Sequence, residues 1–276
     1  MVLDGMMWKS AIDRHREGVC VPFVRSTLEN YRSLGFDYLR DGGDRWGAGE
    51  FAARIAPEYG IRYRTPCFPI YRKGHYGSFI GRGYETEAEF RALVDEVKSR
   101  GGHFIKIMIS GIMDFDHYGV LTDTPMPEDE LRRIADIAHE AGFAVMAHAN
   151  GDAAVRAAIH AGIESVEHGA YLSEQTLDEL ADSGTVWVPT LVTIGALVDD
   201  GRYSQDCVRP LFAYQSRAIR YAAEHGAFIA PGSDAGAYNV LHGSGGEREI
   251  ELLLAAIGEN ADRVLAAGLE KIKERF

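Results

Sequence analysis

Four polar side chains stand inside or at the ends of four apolar runs. Residues 102–111, GHFIKIMISG, place Lys106 within a nearly continuous hydrophobic stretch of Phe104, Ile105, Ile107, Met108 and Ile109. Such a run is the pattern of a strand buried on both faces of a parallel sheet. An ammonium in its middle is costly unless it is paired, neutralised or chemically changed. Pairing with a nearby carboxylate, or snorkelling to the strand end, are the plain readings of one such lysine. Three later runs repeat the arrangement: FAVMAHANG ends near His148, IESVEHG near His168 and AFIAPGSDAG near Asp234. A single histidine at a strand end is more often a hydrogen-bonded structural residue than a ligand. Four metal-competent or nucleophilic groups in the order Lys, His, His, Asp point instead to a shared site, because parallel barrels gather catalytic groups from several strand ends at one face.

The elements that must carry these groups follow from periodicity and stop signals. Helical spacing predicts helices over 19–35, 48–59, 85–100, 128–141, 152–161, 173–184, 204–225 and from 247 onward, with a break near Gly258. Between them lie predicted strands at 36–40, 61–68, the Lys106, His148 and His168 runs, 185–191 and the Asp234 run. This alternation of strand and helix reads as α/β, a (β/α)8 barrel spanning residues 1–276 as one domain. Seven strands are visible where a closed barrel wants eight, and the missing one would precede Val19. Two long loops, 71–83 and 112–127, are rich in glycine, aromatic and charged residues, a pattern expected of specificity loops.

Composition narrows the function class. With 276 residues and a formal net charge of −12, the chain is poorly suited to nucleic acid or an anionic membrane. No run has the length of a membrane span, and the N-terminus has no signal-peptide core. Cys20, Cys67 and Cys207 are few and widely spaced, so the expectation is a cytoplasmic protein with reduced thiols and no disulfide framework. The expected partner is a small-molecule substrate, and a homo-oligomer is compatible with this composition.

The set FIKIMISG, VMAHANG, SVEHG, VWVPTL and PGSDAG resembles the amidohydrolase superfamily, near its imidazolonepropionase-like and prolidase-like members, over roughly residues 31–243. The resemblance implies a barrel hydrolase with one or two divalent metals, most often zinc, that cleaves amide or related C–N and C–O bonds. By position it implies that Lys106 is carbamylated and bridges the metals, that His148 and His168 are imidazole ligands, and that Asp234 is both ligand and general base. A carbamate would resolve the burial of Lys106, since metal ions supply its counter-charge. The family's first strand ends in His-x-His, and this sequence contains no such pair. His15, in the charged context DRHREG, reads as a surface residue. The expectation is therefore a barrel lacking its first strand, shortened just before Met1, without the flanking β-sandwich, and with impaired hydrolysis.

His75, Tyr76, His117, Tyr118, Tyr171 and His242 are candidate substrate contacts on the long loops or beside the strand ends. Arg40 with Asp41, and Arg45, could hold a carboxylate, though salt bridging is the plainer reading. His103, His139, His160 and His225 are expected to face away from the site. Two other functions stay open: a catalytically inactive barrel that binds a small ligand or metal, and a lyase-like enzyme using Lys106 as a Schiff-base amine.

Overall fold

A computed structural model describes residues 1–276. The chain opens with α1 (Trp8–Asp13) and α2 (Val21–Ser33), followed by β1 (Tyr38–Arg40), α3 (Ala48–Ile55), a 3-10 turn (Ala56–Tyr59) and β2 (Arg62–Arg64). Next come β3 (Pro69–Arg72), β4 (Arg82–Tyr84), α4 (Glu87–Ser99) and β5 (Ile105–Met108). The alternation continues with α5 (Glu128–Glu140), β6 (Val145–Ala149), α6 (Asp152–His160), β7 (Ser165–His168), α7 (Glu174–Asp182) and β8 (Val186–Val188). It finishes with α8 (Leu191–Gly195), α9 (Gln205–Glu224), β9 (Phe228–Ile229), α10 (Ser244–Ile257) and α11 (Ala261–Arg275). Helix ends follow local chemistry. Thr86 caps α4 by accepting from the Glu89 N–H at 3.2 Å, with Glu87 and Glu89 in the first turn and Lys98 in the last.

Every ladder is parallel. One sheet runs β4-β3-β5-β6-β7-β8-β9, and β1 pairs with β2 in a second. β3 continues the path of β2 after a kink at residues 65–68, where Cys67 takes φ +64°. At the start of that kink the Thr65 carbonyl accepts from the His103 N–H at 2.8 Å, so the β2 path borders the entry to β5. The outer edges of β1 and β9 share no ladder with each other, and the sheet stays open where a closed barrel would place its first strand. Residues ahead of α2 do not fill that place. They form an extended segment, whose Leu3 and Gly5 carbonyls accept from His242 Nε2 and the Asn239 N–H, and then the short α1.

Helix α11 covers the open edge, one of the ways proteins deal with unpaired strand edges. Its Ile272 and Phe276 join Phe104, Met146, Val186, Val188 and Ala230 in an apolar cluster. A Cβ at Gly268 would collide with the carbonyl of Ile229, so the helix backbone lies directly on β9. The main core fills the space between strands and outer helices with Phe68, Phe90, Ile105, Ile107, Leu131 and Trp187 among its members. A smaller core joins α2 and α3 through Val24, Leu28, Ala52, Ile55 and Tyr63. No helix is long and apolar enough to cross a membrane.

Several local expectations are corrected. Residues 71–83, expected as a long specificity loop, contain the end of β3 and the start of β4. Leu191, expected in a strand, begins α8 after the backbone turns at Thr190, φ +50°. His15 is fully buried rather than on the surface. Its Nδ1 accepts from the Cys20 N–H at 3.2 Å and its ring meets Phe23 edge-on, so the imidazole closes the α1–α2 turn while its charged neighbours face solvent.

Candidate active site

Strand alternation sorts the side chains of β5 and β6 between two environments. Ile105, Ile107, Val145 and Ala147 enter the helix-facing core. Lys106, Met108, Met146 and His148 instead line a cavity of about 1050 Å³ inside the curved sheet. On β7 the alternation puts Glu167 on the cavity side and Val166 in the core. His168 should then point away, but its φ of +74° turns it back, and it lines the cavity as well. Asp234 reaches the same cavity from the loop beyond β9, also with a left-handed backbone, φ +50°.

The two imidazoles meet edge to face, with ring centroids 4.6 Å apart. His148 Nε2 lies 3.2 Å from the Gly111 carbonyl, an acceptor that assigns the ring proton to Nε2. Burial, then the Lys106 cation, pushes His148 down to about 3. Burial, then His148 and Lys106, holds His168 well below the usual histidine range. The Lys106 amine is itself pushed down to about 8, chiefly by burial, with Glu167 pulling upward and Arg40 downward. Desolvation raises the Asp234 carboxyl to about 6, a rise opposed by the Lys106 cation, while the residue stays open to the cavity. The Tyr76 ring lies against His148 at 4.9 Å, tilted by 30°.

Below Lys106 sits a buried ion pair, in which Arg40 takes the salt-bridging role that was its plainer reading. Arg40 does not pair with Asp41. Its guanidinium donates to Glu167 at 2.9 Å and to Ser165 Oγ at 2.8 Å, and Ser165 in turn donates to Glu167 at 2.7 Å. Both ionic side chains are less than a tenth exposed, and Arg40 also stacks over Phe276 at 4.4 Å. Asp41 accepts instead from the Tyr63 hydroxyl at 2.9 Å. Arg45 lies over the Trp46 ring, outside the cavity wall. Glu167 is the residue that sequence reading missed. The only available signal was its place one position before His168, alternate to the apolar Val166.

Of the loop candidates, Tyr76 and His242 line the cavity. The other four do not. His75 is paired with Asp123 at 3.1 Å, and His117 with Asp114 at 2.9 Å. Tyr118 packs edge-on against Tyr171 at 5.4 Å, and the Tyr171 hydroxyl is buried without a partner. In each case a carboxylate of the 112–127 loop, or a second aromatic ring, takes up the side chain.

The donor chemistry fits a divalent ion in one way. His148 and His168 offer neutral nitrogen donors side by side, and Lys106 is drawn toward its own neutral form next to them. No three His, Cys, Asp or Glu side chains lie close enough together to hold an ion. Asp234 therefore does not complete the imidazole pair, coming from two strands further along the sheet.

The amidohydrolase family profile matches residues 23–262. An uncharacterized protein of Mycobacterium tuberculosis is 31% identical over 166 residues, 58% of this chain and 44% of that protein. Ochratoxinase of Aspergillus niger is 29% identical over 197 residues, 66% of this chain and 38% of the enzyme. The matches thus span less than half the length of these relatives. Among solved structures, a Xaa-Pro dipeptidase with methionine in its active site superposes with a TM-score of 0.72 at 22% identity, covering 90% of this chain and 66% of that one. The A. niger ochratoxinase structure gives 0.71 at 22% identity, covering 92% and 62%. These structures share the α/β fold with its parallel sheet. The match over most of its length shows that this chain belongs to the amidohydrolase family.

Proposed function

We propose that the chain hydrolyses an amide or cyclic-amide C–N bond of a small molecule in a metal-dependent reaction. The observation that carries this reading is the pair of neutral imidazoles, His148 and His168, beside a lysine drawn down to about 8 in one cavity. Their family membership and the hydrolase names among the relatives support it. His148, His168 and a carbamylated Lys106 would hold one divalent ion, and zinc suits this donor set. When bound, such an ion lowers the pKa of water and polarises a carbonyl.

The chain's own residues then have separable tasks. Asp234, raised to about 6, is suited to move a proton near neutral pH. Its carboxylate takes a proton from the water whose oxygen bonds the carbonyl carbon, then delivers it to the nitrogen as the C–N bond breaks. Tyr76 covers one face of His148 and keeps solvent from that ring. Arg40 occupies Glu167, so Lys106 is left without a carboxylate partner within ion-pair distance. A small-molecule substrate suits a cavity of about 1050 Å³ with these groups on its wall.

The test compares bound metal and amine release from a panel of dipeptides, N-acyl amino acids and cyclic amides. Lys106→Ala is expected to lose at least tenfold in both relative to the wild type, with Lys98→Ala unchanged. Equal metal content in the two variants sinks the lysine-ligand reading. The lowered lysine also suits amine catalysis, and borohydride trapping of a carbonyl substrate on Lys106 would favour that reading instead.

A further inference from the structure

Thr190 stands immediately before α8 in a left-handed conformation, φ +50° and ψ +41°, which β-branched residues adopt rarely. A threonine in this place ordinarily turns its hydroxyl onto the exposed N–H groups of the helix's first turn. Here it makes no such bond. Its Oγ1 lies 2.8 Å from His168 Nδ1 instead. The vacant capping role is filled from another helix. Glu249 of α10, with no solvent exposure, accepts from the Leu191 N–H at 3.0 Å and from the Val192 N–H at 2.6 Å. The backbone of His168 is fixed separately, because its carbonyl accepts from Trp187 Nε1 at 3.0 Å and Gln215 Nε2 at 2.9 Å. The Thr190 hydroxyl is the side-chain hydrogen-bond partner of the His168 ring, whose backbone is held by other groups.

We propose that Glu249 is a positioning residue for His168. By capping α8 from α10 it releases the Thr190 hydroxyl to accept the Nδ1 proton of His168, so that Nε2 keeps its lone pair for the cavity. The inference rests on the hydrolase reading only for what that lone pair binds. The ring's tautomer is a property of the metal-free chain and can be read without activity.

The experiment is ¹⁵N NMR of the histidine side chains in the metal-free protein, with His168 assigned by the signal lost in His168→Gln. The wild type is expected to show an unprotonated Nε2 at His168. Thr190→Val and Glu249→Gln are both expected to shift it to a tautomer mixture, and Thr190→Ser to retain the wild-type state. Cobalt affinity of the same proteins should fall roughly 10–100-fold in Thr190→Val and recover in Thr190→Ser, as for other groups that orient metal-binding histidines. Glu249→Asp, which retracts the carboxylate, replaces Glu249→Gln if that variant does not fold. A protonated Nε2 in the wild type, or an unchanged tautomer in Thr190→Val, overturns the proposal. An unchanged tautomer in the Glu249 variant overturns it as well, because Glu249 is the residue proposed to free the Thr190 hydroxyl. A wild-type protein that binds no cobalt yet shows the expected tautomers counts against the hydrolase reading and not against the positioning.

Discussion

His242 joins two parts of the chain through one ring. Its Nε2–H donates to the Leu3 carbonyl at 2.8 Å, and its Nδ1 accepts from the Tyr31 hydroxyl at 3.0 Å. Both bonds together require the neutral ring, and burial pushes its pKa down to about 3, with the N-terminal amine adding to the effect. The folded value lies below the 6.5 of an unfolded histidine, so the stability tied to this ring is present above pH 6.5 and is lost as pH falls toward 3. His148 and His168 shift in the same direction, whereas Asp234 and Glu249, raised to about 6 and about 8, lose their share as pH rises. Comparing the wild type with His242→Gln cancels those common contributions. Urea unfolding between pH 6.5 and 4 should show the wild type losing stability faster than the variant, by up to ~1 kcal/mol per pH unit. Parallel pH profiles would mean that the ring is not held neutral in the fold.

At the scale of elements, the decisive contact is that of α11 with β9. Gly268 lets the helix backbone rest on the Ile229 carbonyl, and Leu265, Ile272 and Phe276 extend the apolar contact on either side. Gly268→Ala sets two effects against each other. Helix propensity favours alanine by about 1 kcal/mol, while overpacking against a backbone atom costs about 1–3 kcal/mol. The neighbour here is a strand carbonyl that cannot rotate away, so the packing cost should win. The variant is expected to melt below the wild type in calorimetry, and an equal or higher melting temperature would show that α11 does not press on the strand. The same helix supplies Phe276, whose ring meets Phe104 at 5.2 Å and lies under Arg40. Through it the covering of the open edge is tied to the Arg40–Glu167 pair.

For the whole molecule, the open sheet leaves a cavity of about 1050 Å³ where ligand binding and folding are linked. An ion held only by the folded chain stabilises it by about 2.7 kcal/mol at a hundred times its Kd. In a chain of this size that corresponds to a rise of about 5 °C or more in melting temperature. Zinc added to the metal-free wild type is expected to give such a rise, and a His148→Ala/His168→Ala double variant to give none. An equal rise in both would place the ion elsewhere. The formal net charge of −12 raises the background attraction of any divalent cation, which is why the double variant rather than buffer alone is the control.

The placement of Lys106 and His148 was legible in the sequence because a strand's two-residue period is local. Once IKIM and VMAHA are strands, Ile105, Ile107, Val145 and Ala147 must share one face and Lys106 and His148 the other. The helices were legible for the same reason, through caps such as Thr86 and stops such as Gly142. Arg40 and Glu167, 127 positions apart, became partners only when the sheet brought β1 and β7 around one interior. Glu249 meets Leu191 across 58 positions, and α11 closes over an edge that no local pattern announces. His15 shows the same limit in reverse, since its charged neighbours signalled a surface while the α1–α2 turn buried the ring. Period and capping act over a few residues and can be read directly. Partnerships between distant side chains depend on register, kinks and loop paths, and those are decided only when the whole sheet curves and packs.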